Sequence, residues 1–441
     1  MNVVLAKTET GQALSDAFAV ARDRLPGTGK VAEVRQQAFE AYERAGLPHR
    51  RIEDWKYTDL RSLMREVLPL APAPDAAALK RAEASLALLA EQDVCRLVLV
   101  DGAWAPDLSD MSGLQTGVQV RTLRDVLEQS GDDASSDLLH TGAITDPMVA
   151  LNAAMATDGM LITVVAGATV PMPLHIVHVA TRSSAAAYTR SFVKVGEGAR
   201  VTLVESFVAA GDARSYQAND TVIMWIGAEA GLQHVRLMAD APDAFNISTA
   251  IFTVGAKAVL NTFNLTIGGG VSRYQGYLTC AGEGAHVTTN GVNLLNGRQH
   301  ADTTLFLDHA VPHCVSREVF RAVVDDRGHS VFQGRIMVRP KAQKTDAKMM
   351  TRALLLSDDA EADNKPELEI FADDVTCGHG ATSGALDESL LFYLRARGLP
   401  EKEAQALLIL AFVGEAIETI TDEGVREVMI AAAQRWLEAR G

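Results

Sequence analysis

Aromatic side chains are scarce, with Phe, Trp and Tyr together making up 5% of the 441 residues, while Ala, Val, Leu and Gly are plentiful. Such a core suits closely stacked, regular layers better than a few large aromatic clusters. Cysteine is scarce as well. Cys95, Cys280, Cys314 and Cys377 lie far apart with no CxxC pair, which argues against a disulfide framework and for reduced thiols in a cytosolic protein. There is no run of about eighteen apolar residues to span a bilayer. The opening MNVVLAKTETGQALSDAF lacks a basic segment followed by an apolar one, so no secretory signal is expected. The expected location is cytoplasmic, without membrane contact. Positive charge is in deficit: the net charge of −15 disfavours a phosphate backbone as partner, so no nucleic acid is expected. Nucleotide motifs are missing too. Gly27-Thr28-Gly29-Lys30 superficially resembles a phosphate loop, but Arg24 stands where its first Gly belongs and Val31 where Ser or Thr would bind magnesium. No GxGxxG follows a strand and no GxSxG elbow occurs. Any dependence on ATP must therefore come from a partner, and the chain is not expected to be an enzyme.

The chain is too long for one ordinary domain, and its 48% hydrophobic and 22% charged content is that of a globular protein with a sizeable core. Residues 1–70 read as helical, with Leu14, Phe18, Ala21, Val31, Val34, Phe39 and Tyr42 at spacings near three and four. Pro26, Gly27 and Gly29 divide two helices, and a Pro/Ala-rich linker follows at 70–79. Val94–Val100 reads as a short strand, and 134–157 as helical. From about 160 to 345, short strand-like runs alternate with Gly-containing turns. One phrase recurs: Gly167-Ala168-Thr169-Val170, then again from Gly196, Gly227, Gly255 and Gly282. Its copies start roughly 27 to 31 residues apart, a period typical of solenoids. Gly tolerates the corner's backbone angles, the Ala after it stacks inside, and the next apolar residue starts a strand. An antiparallel sandwich with Gly turns is the alternative. After 384 the chain reads as helical, with a stripe of Leu386, Leu390, Leu391 and Leu394, Gly398 closing one helix and Pro400 opening the next. The expected fold is mainly β: a right-handed parallel β-helix core with N-terminal and C-terminal helical regions. Its expected units are 1–93, 94–384 and 385–441.

Lys344-Thr345-Asp346-Ala347, Leu354-Leu355-Leu356-Ser357-Asp358, Lys365-Pro366-Glu367-Leu368-Glu369-Ile370 and Asp374-Val375-Thr376-Cys377-Gly378-His379-Gly380-Ala381-Thr382 form a series of anchors. In order and spacing they resemble the signature of the SufB/SufD family of the SUF iron–sulfur cluster assembly system. His309–Arg317, Asp146–Gly159 and Glu53–Leu60 match further upstream, so the resemblance covers nearly the whole chain. The Trp55-Lys56-Tyr57-Thr58 segment after a short helical N-terminus is similar to the SufD branch. One departure is Gly378, where many relatives have Ser. The resemblance implies a non-ATPase scaffold that pairs with SufB through the β-helices and binds the SufC ATPase through its C-terminal helices. It also implies a homodimer for the isolated chain and a nascent cluster forming at the SufB–SufD interface. No cofactor is expected to be held tightly by the chain alone. A transient iron–sulfur cluster or iron, ATP through SufC, and reduced flavin belong to the complex, and no residue here locates the flavin.

Cys377 and His379 are the sharpest ligand candidates. Thiolate and neutral imidazole suit iron or an iron–sulfur cluster, and at i and i+2 on a strand both point to one face. By resemblance, His379 matches a histidine implicated as ligand opposite a SufB cysteine. His309, His313 and Cys314 look like a metal cluster, but Pro312 argues against one helical face, and a strand corner is the better reading. His175 and His178 fall on opposite faces of a strand and read as structural, as do Met349 and Met350. Trp55 and Tyr57 share a face if their segment is extended, and would hold the N-terminal region to the body. Leu407, Leu408, Phe412 and Val413 lie on a helix that is apolar on more than one face, so they serve an internal core or a SufC docking surface. The competing function is a β-solenoid enzyme acting on carbohydrate or acyl substrates. Such an enzyme needs paired carboxylates and stacking aromatics, and 160–345 shows few aromatics and no clear acid/base pair.

Overall fold

The recurring Gly-Ala phrases are the corners of a β-solenoid of about 8 turns. The computed structural model describes residues 9–86, 94–114, 116–129 and 133–440. The expected boundary at 93/94 abuts residues 87–93, which lie outside the described residues, as do residues 1–8 of the opening segment. Strands are numbered in chain order. One face of the solenoid holds β1 (Cys95–Val100), β2 (Ala103–Trp104), β5 (Leu174–Ala180), β7 (Arg200–Ala209), β9 (Gly231–Ala239) and β11 (Val259–Thr266). It continues through β13 (His286–Leu295), β15 (Val315–Val324), β17 (Asp346–Leu355) and β19 (Thr376–Gly384). The other face holds β3 (Val118–Thr122), β4 (Met160–Val164), β6 (Ala186–Val195), β8 (Gln217–Ile226) and β10 (Phe245–Val254). It ends with β12 (Val271–Cys280), β14 (His300–His309), β16 (His329–Val338) and β18 (Glu361–Ile370). Successive turns add alternately to the two sheets, which run β19-β17-β15-β13-β11-β9-β7-β5-β1-β2 and β18-β16-β14-β12-β10-β8-β6-β4-β3. From β4 and β5 onward every neighbouring pair is parallel, which rules out the antiparallel sandwich, and the coils run on past 345 through β19.

Parallel, in-register stacking makes like meet like. On the corner rung just before each odd strand stand Ala199, Ala230, Ala258 and Ala285, all buried. The rung at the end of each even strand starts Val195, Ile226, Val254 and resumes at Val338. Each fully buried Val or Ile there contributes about 1.5–3 kcal/mol relative to exposure. The corner glycines play two roles rather than one. At Gly282 an added Cβ would sit 1.9 Å from the Ala256 nitrogen, so its value is close stacking of turn on turn. The left-handed residue comes two positions later, Gly284 (φ +72°) in that copy, and Glu229, Lys257, His313 and Lys344 take the same conformation elsewhere.

Both outer faces of the solenoid are covered. The N-terminal helices α1 (Glu9–Ala21), α2 (Lys30–Ala45), α3 (Leu60–Leu63) and α4 (Ala76–Ser85) precede the strands. The span expected to be one helix at 134–157 is broken. Within it α6 (Asp133–Ser136) follows α5 (Leu123–Gln129), and α7 (Pro147–Met155) starts afresh, because Pro147 suits a first helical position. Asp146 caps α7, accepting from the Met148 and Val149 amides at 2.8 and 3.2 Å. Every residue of α7 is buried, and Asn152 Nδ2 donates at 2.9 Å to the Thr189 and Asn219 carbonyls. On the opposite face lie α9 (Glu401–Ile417) and α10 (Glu423–Ala439). Their Ile409, Val413, Ile417, Val425 and Met429 pack on Val235, Phe263, Val292 and Val323 of the odd-numbered strands. Between solenoid and cover, α8 (Glu388–Ala396) buries no residue, so the leucine stripe expected there is not a core face.

Candidate functional site at the open end of the solenoid

The last strand, β19, pairs with β17 alone, and β18 with β16 alone. Within β19 the register sets Cys377 opposite Ala347, which is fully buried in the core, and His379 opposite Met349. Both side chains therefore belong to the face that lines the lumen, with Gly378 between them turned outward. Among the described residues no further coil covers them, so His379 is exposed and Cys377 half-buried against the end of the core. Burial raises the Cys377 thiol above its ordinary value. At this rim a thiol and an imidazole share the lumen-facing side of the last coil.

The two exposed edges differ in chemistry. β18, EADNKPELEI, carries charges along its length and Pro366, devices that discourage edge pairing. β19, TCGHGATSG, has neither charge nor proline. Beside them Phe371 is 60% exposed.

The other residues singled out from sequence separate cleanly. His309 and Cys314 lie together at a solenoid corner, both fully buried, and the structure adds Cys280, which sequence spacing alone had left isolated. His313 turns away to the surface, 3.9 Å from Glu283. His175 meets Ser206 Oγ at 2.9 Å, and burial lowers its pKa to about 3. His178 lies in the lumen, stacked on Phe207, with Glu205 and Asp220 close enough to share an ion. Both carboxylates already share one cation: the Arg236 guanidinium lies 2.8 Å from Glu205 and 3.6 Å from Asp220, and His234 also meets Glu205 at 2.6 Å. A cation there would face a fixed positive charge, so the cluster reads as structural. A cavity of about 40 Å³ beside it, lined by His178, Tyr216 and Asp240, has room for water.

Trp55 does hold the N-terminal region to the body, but not from an extended segment. Glu53–Trp55 is a 3-10 turn that buries the indole. The Trp55 Nε1 donates to Asp146 at 2.9 Å, and the Arg273 guanidinium stacks 3.8 Å from the ring centroid. Arg273 also pairs with Asp302, which accepts from Thr58. Lys365 of β18 pairs with Glu53, so the N-terminal segment reaches the last coil.

The helix expected to serve either core or docking has one face buried on the solenoid and another open to solvent. Val413 is buried beneath α9 in the core against the solenoid, where no partner reaches it, so it drops out of the docking set. Phe412 is half-buried under the Arg321 guanidinium, and Leu408 is half-buried too. Leu407 is exposed, and so are Leu390, Phe392 and Tyr393 of α8, which the sequence reading had not assigned to a surface. Their signal was an apolar stripe on a helix that fully buries none of its residues. No helix among the described residues is long and apolar enough to cross a membrane.

Comparison with known proteins places this architecture. Residues 178–412 match the family described as the SUF system FeS cluster assembly SufBD core domain, and residues 12–176 match the SufBD protein N-terminal region. The chain is 33% identical over 401 residues to the iron–sulfur cluster assembly protein SufD of Escherichia coli, covering 90% of each chain. It is 30% identical over 397 residues to an iron–sulfur cluster assembly SufBD family protein of Synechocystis, covering 88% of this chain and 86% of the relative. With protein ABCI7, chloroplastic, of Arabidopsis thaliana the identity is 27% over 417 residues, covering 90% and 84%.

Proposed function

This chain belongs to the SufBD family of the SUF iron–sulfur cluster assembly system, and from that premise we propose that it is a non-catalytic scaffold whose working surface is the rim of its last coil. The observation that carries the reading is the terminal strand β19, whose outer edge has no partner strand among the described residues and which bears Cys377 and His379 on the lumen-facing side of an open end. A sister solenoid, SufB, extends the sheet across that edge by main-chain pairing. Two donors from one chain leave a four-coordinate iron incomplete, so the partner supplies the remaining ligands and the cluster stays transferable. Cluster and iron are cargo here. ATP enters through SufC, which docks on the exposed apolar side chains Leu390, Phe392, Tyr393 and Leu407.

A solenoid acting on carbohydrate would keep its acids in an open groove, whereas Glu205, Asp220 and Glu318 are sealed inside the lumen. The test is anaerobic reconstitution with SufB and SufC, followed by iron analysis and spectroscopy. His379→Ala should assemble normally and load less iron, and wild-type iron content would remove the ligand role. For SufC docking, the double substitution Phe392→Glu and Leu407→Glu should weaken capture of SufC without unfolding the chain. Deleting 399–441 is a poor test, because it strips α9 and α10 from the apolar face they cover.

A further inference from the structure

We propose that Cys280, His309 and Cys314 form a binding site for one thiophilic divalent cation, of the Zn²⁺ type, inside the lumen of the solenoid. One ligand atom from each residue lies within 4.8 Å of the other two. Tetrahedral bonds of about 2.3 Å to sulfur and 2.0 Å to nitrogen place donors roughly 3.5–4 Å apart, so the corner needs only a small contraction.

The stacking register makes these residues exceptional. Cys280 and His309 are adjacent rungs of the ladder Val195, Ile226, Val254, Cys280, His309, Val338, where the other rungs are aliphatic. Cys314 follows Ala199, Ala230, Ala258 and Ala285 on the corner ladder. The two ladders flank the same corner in every coil, and only in adjacent coils, at Cys280, His309 and Cys314, do they exchange hydrocarbon for ligating atoms. Ser316 interrupts a third ladder, after Val201, Leu232, Leu260 and Val287, and its Oγ lies 3.0 Å from His309 Nε2. It orients the ring as outer partners of metal-bound histidines do.

Buried thiols alone need no ion, since cysteine packs as a small hydrophobe. The imidazole decides the matter. His309 is fully buried and its Nδ1 has no hydrogen-bond partner among the described residues, which leaves the cost of desolvating that nitrogen uncompensated if nothing binds there. Valine, as on the neighbouring rungs, would avoid that cost. Charge points the same way: two thiolates and a neutral imidazole cancel a divalent cation, leaving an uncharged complex in an apolar lumen. The turns 281–285 and 310–314 lie beside the site in sequence and hold exposed residues. The site is distinct from the rim, since Ser316 stands two strands below Cys377 on the same ladder.

The test is titration of the reduced, full-length chain with Co²⁺, followed by displacement with Zn²⁺. Expected are one equivalent of tetrahedral d–d absorption with thiolate-to-cobalt charge transfer, and a thermal midpoint raised by Zn²⁺. Both should vanish in Cys280→Val, His309→Val and Cys314→Ala, which match their own ladders and so preserve folding. Both should persist when Cys377→Ser and His379→Ala are combined. Absence of the cobalt spectrum, its survival in His309→Val, its loss only with the rim substitutions, or a Cys280–Cys314 disulfide in place of metal binding would each overturn the proposal.

Discussion

At its first coil the solenoid is closed by chain running the opposite way: the two-residue β2 turns back on β1, and β3 pairs antiparallel with β4. At its last coil β18 and β19 end their sheets with no strand beyond them among the described residues. Short, reversed edges resist further pairing, and a long neutral parallel edge invites it. The same contrast runs along single ladders. The lumen ladder His234, Thr262, Thr289, Glu318, Met349, His379 begins sealed and ends open. Identical stacking rules thus yield a core at one end and a surface with donor atoms at the other, and the difference is only whether another coil follows.

The largest effect should come from disturbing the closed part. Gly282→Ala forces a Cβ into the Ala256 backbone and should destabilise by at least about 3 kcal/mol, read by denaturant unfolding. On the lumen ladder, Glu318 is fully buried with neither carboxylate oxygen hydrogen-bonded, and burial pushes its pKa up to about 8. A raised folded pKa favours the protonated form, so stability is greatest below the unfolded value near 4.5 and falls as pH rises toward 8. Glu318→Gln should therefore flatten that decline, gaining up to roughly 5 kcal/mol at pH 8 and little near pH 4.5. A wild-type pH profile in the variant would place Glu318 in contact with water.

Smaller effects belong to the open end. Ala381→Lys sets an inward-pointing charge at the exposed mouth of the lumen and should weaken pairing with a second solenoid about tenfold, roughly 1.4 kcal/mol, in sedimentation assays. Pairing as tight as wild type would move the interface away from β19. Smallest of all, Gly378→Ala meets nothing within 4 Å and should change folding stability by less than about 0.5 kcal/mol. Comparing Gly282 with Gly378 separates glycine needed for stacking from glycine merely present at a bare edge.

Much of this was legible beforehand. The recurring Gly-Ala phrase gives the coil period, and i, i+2 spacing gives a common face for Cys377 and His379. The helical ends were readable from apolar periodicity and from Gly398 and Pro400. Less legible were the break before Pro147, the turn that buries Trp55, and the side of α9 on which Val413 falls. Each depends on what packs against the segment rather than on the segment's own pattern.

Cys280 had a signal that went unused: it stands one repeat before His309, so laying the coils in register would have paired them. Order along the chain set the repeat, because a parallel stack in register turns periodicity into contact between like residues. Only three dimensions decided which rungs are sealed and which lie open. Burial of a rung depends on the coil above it, and for Cys377 and His379 no coil follows among the described residues.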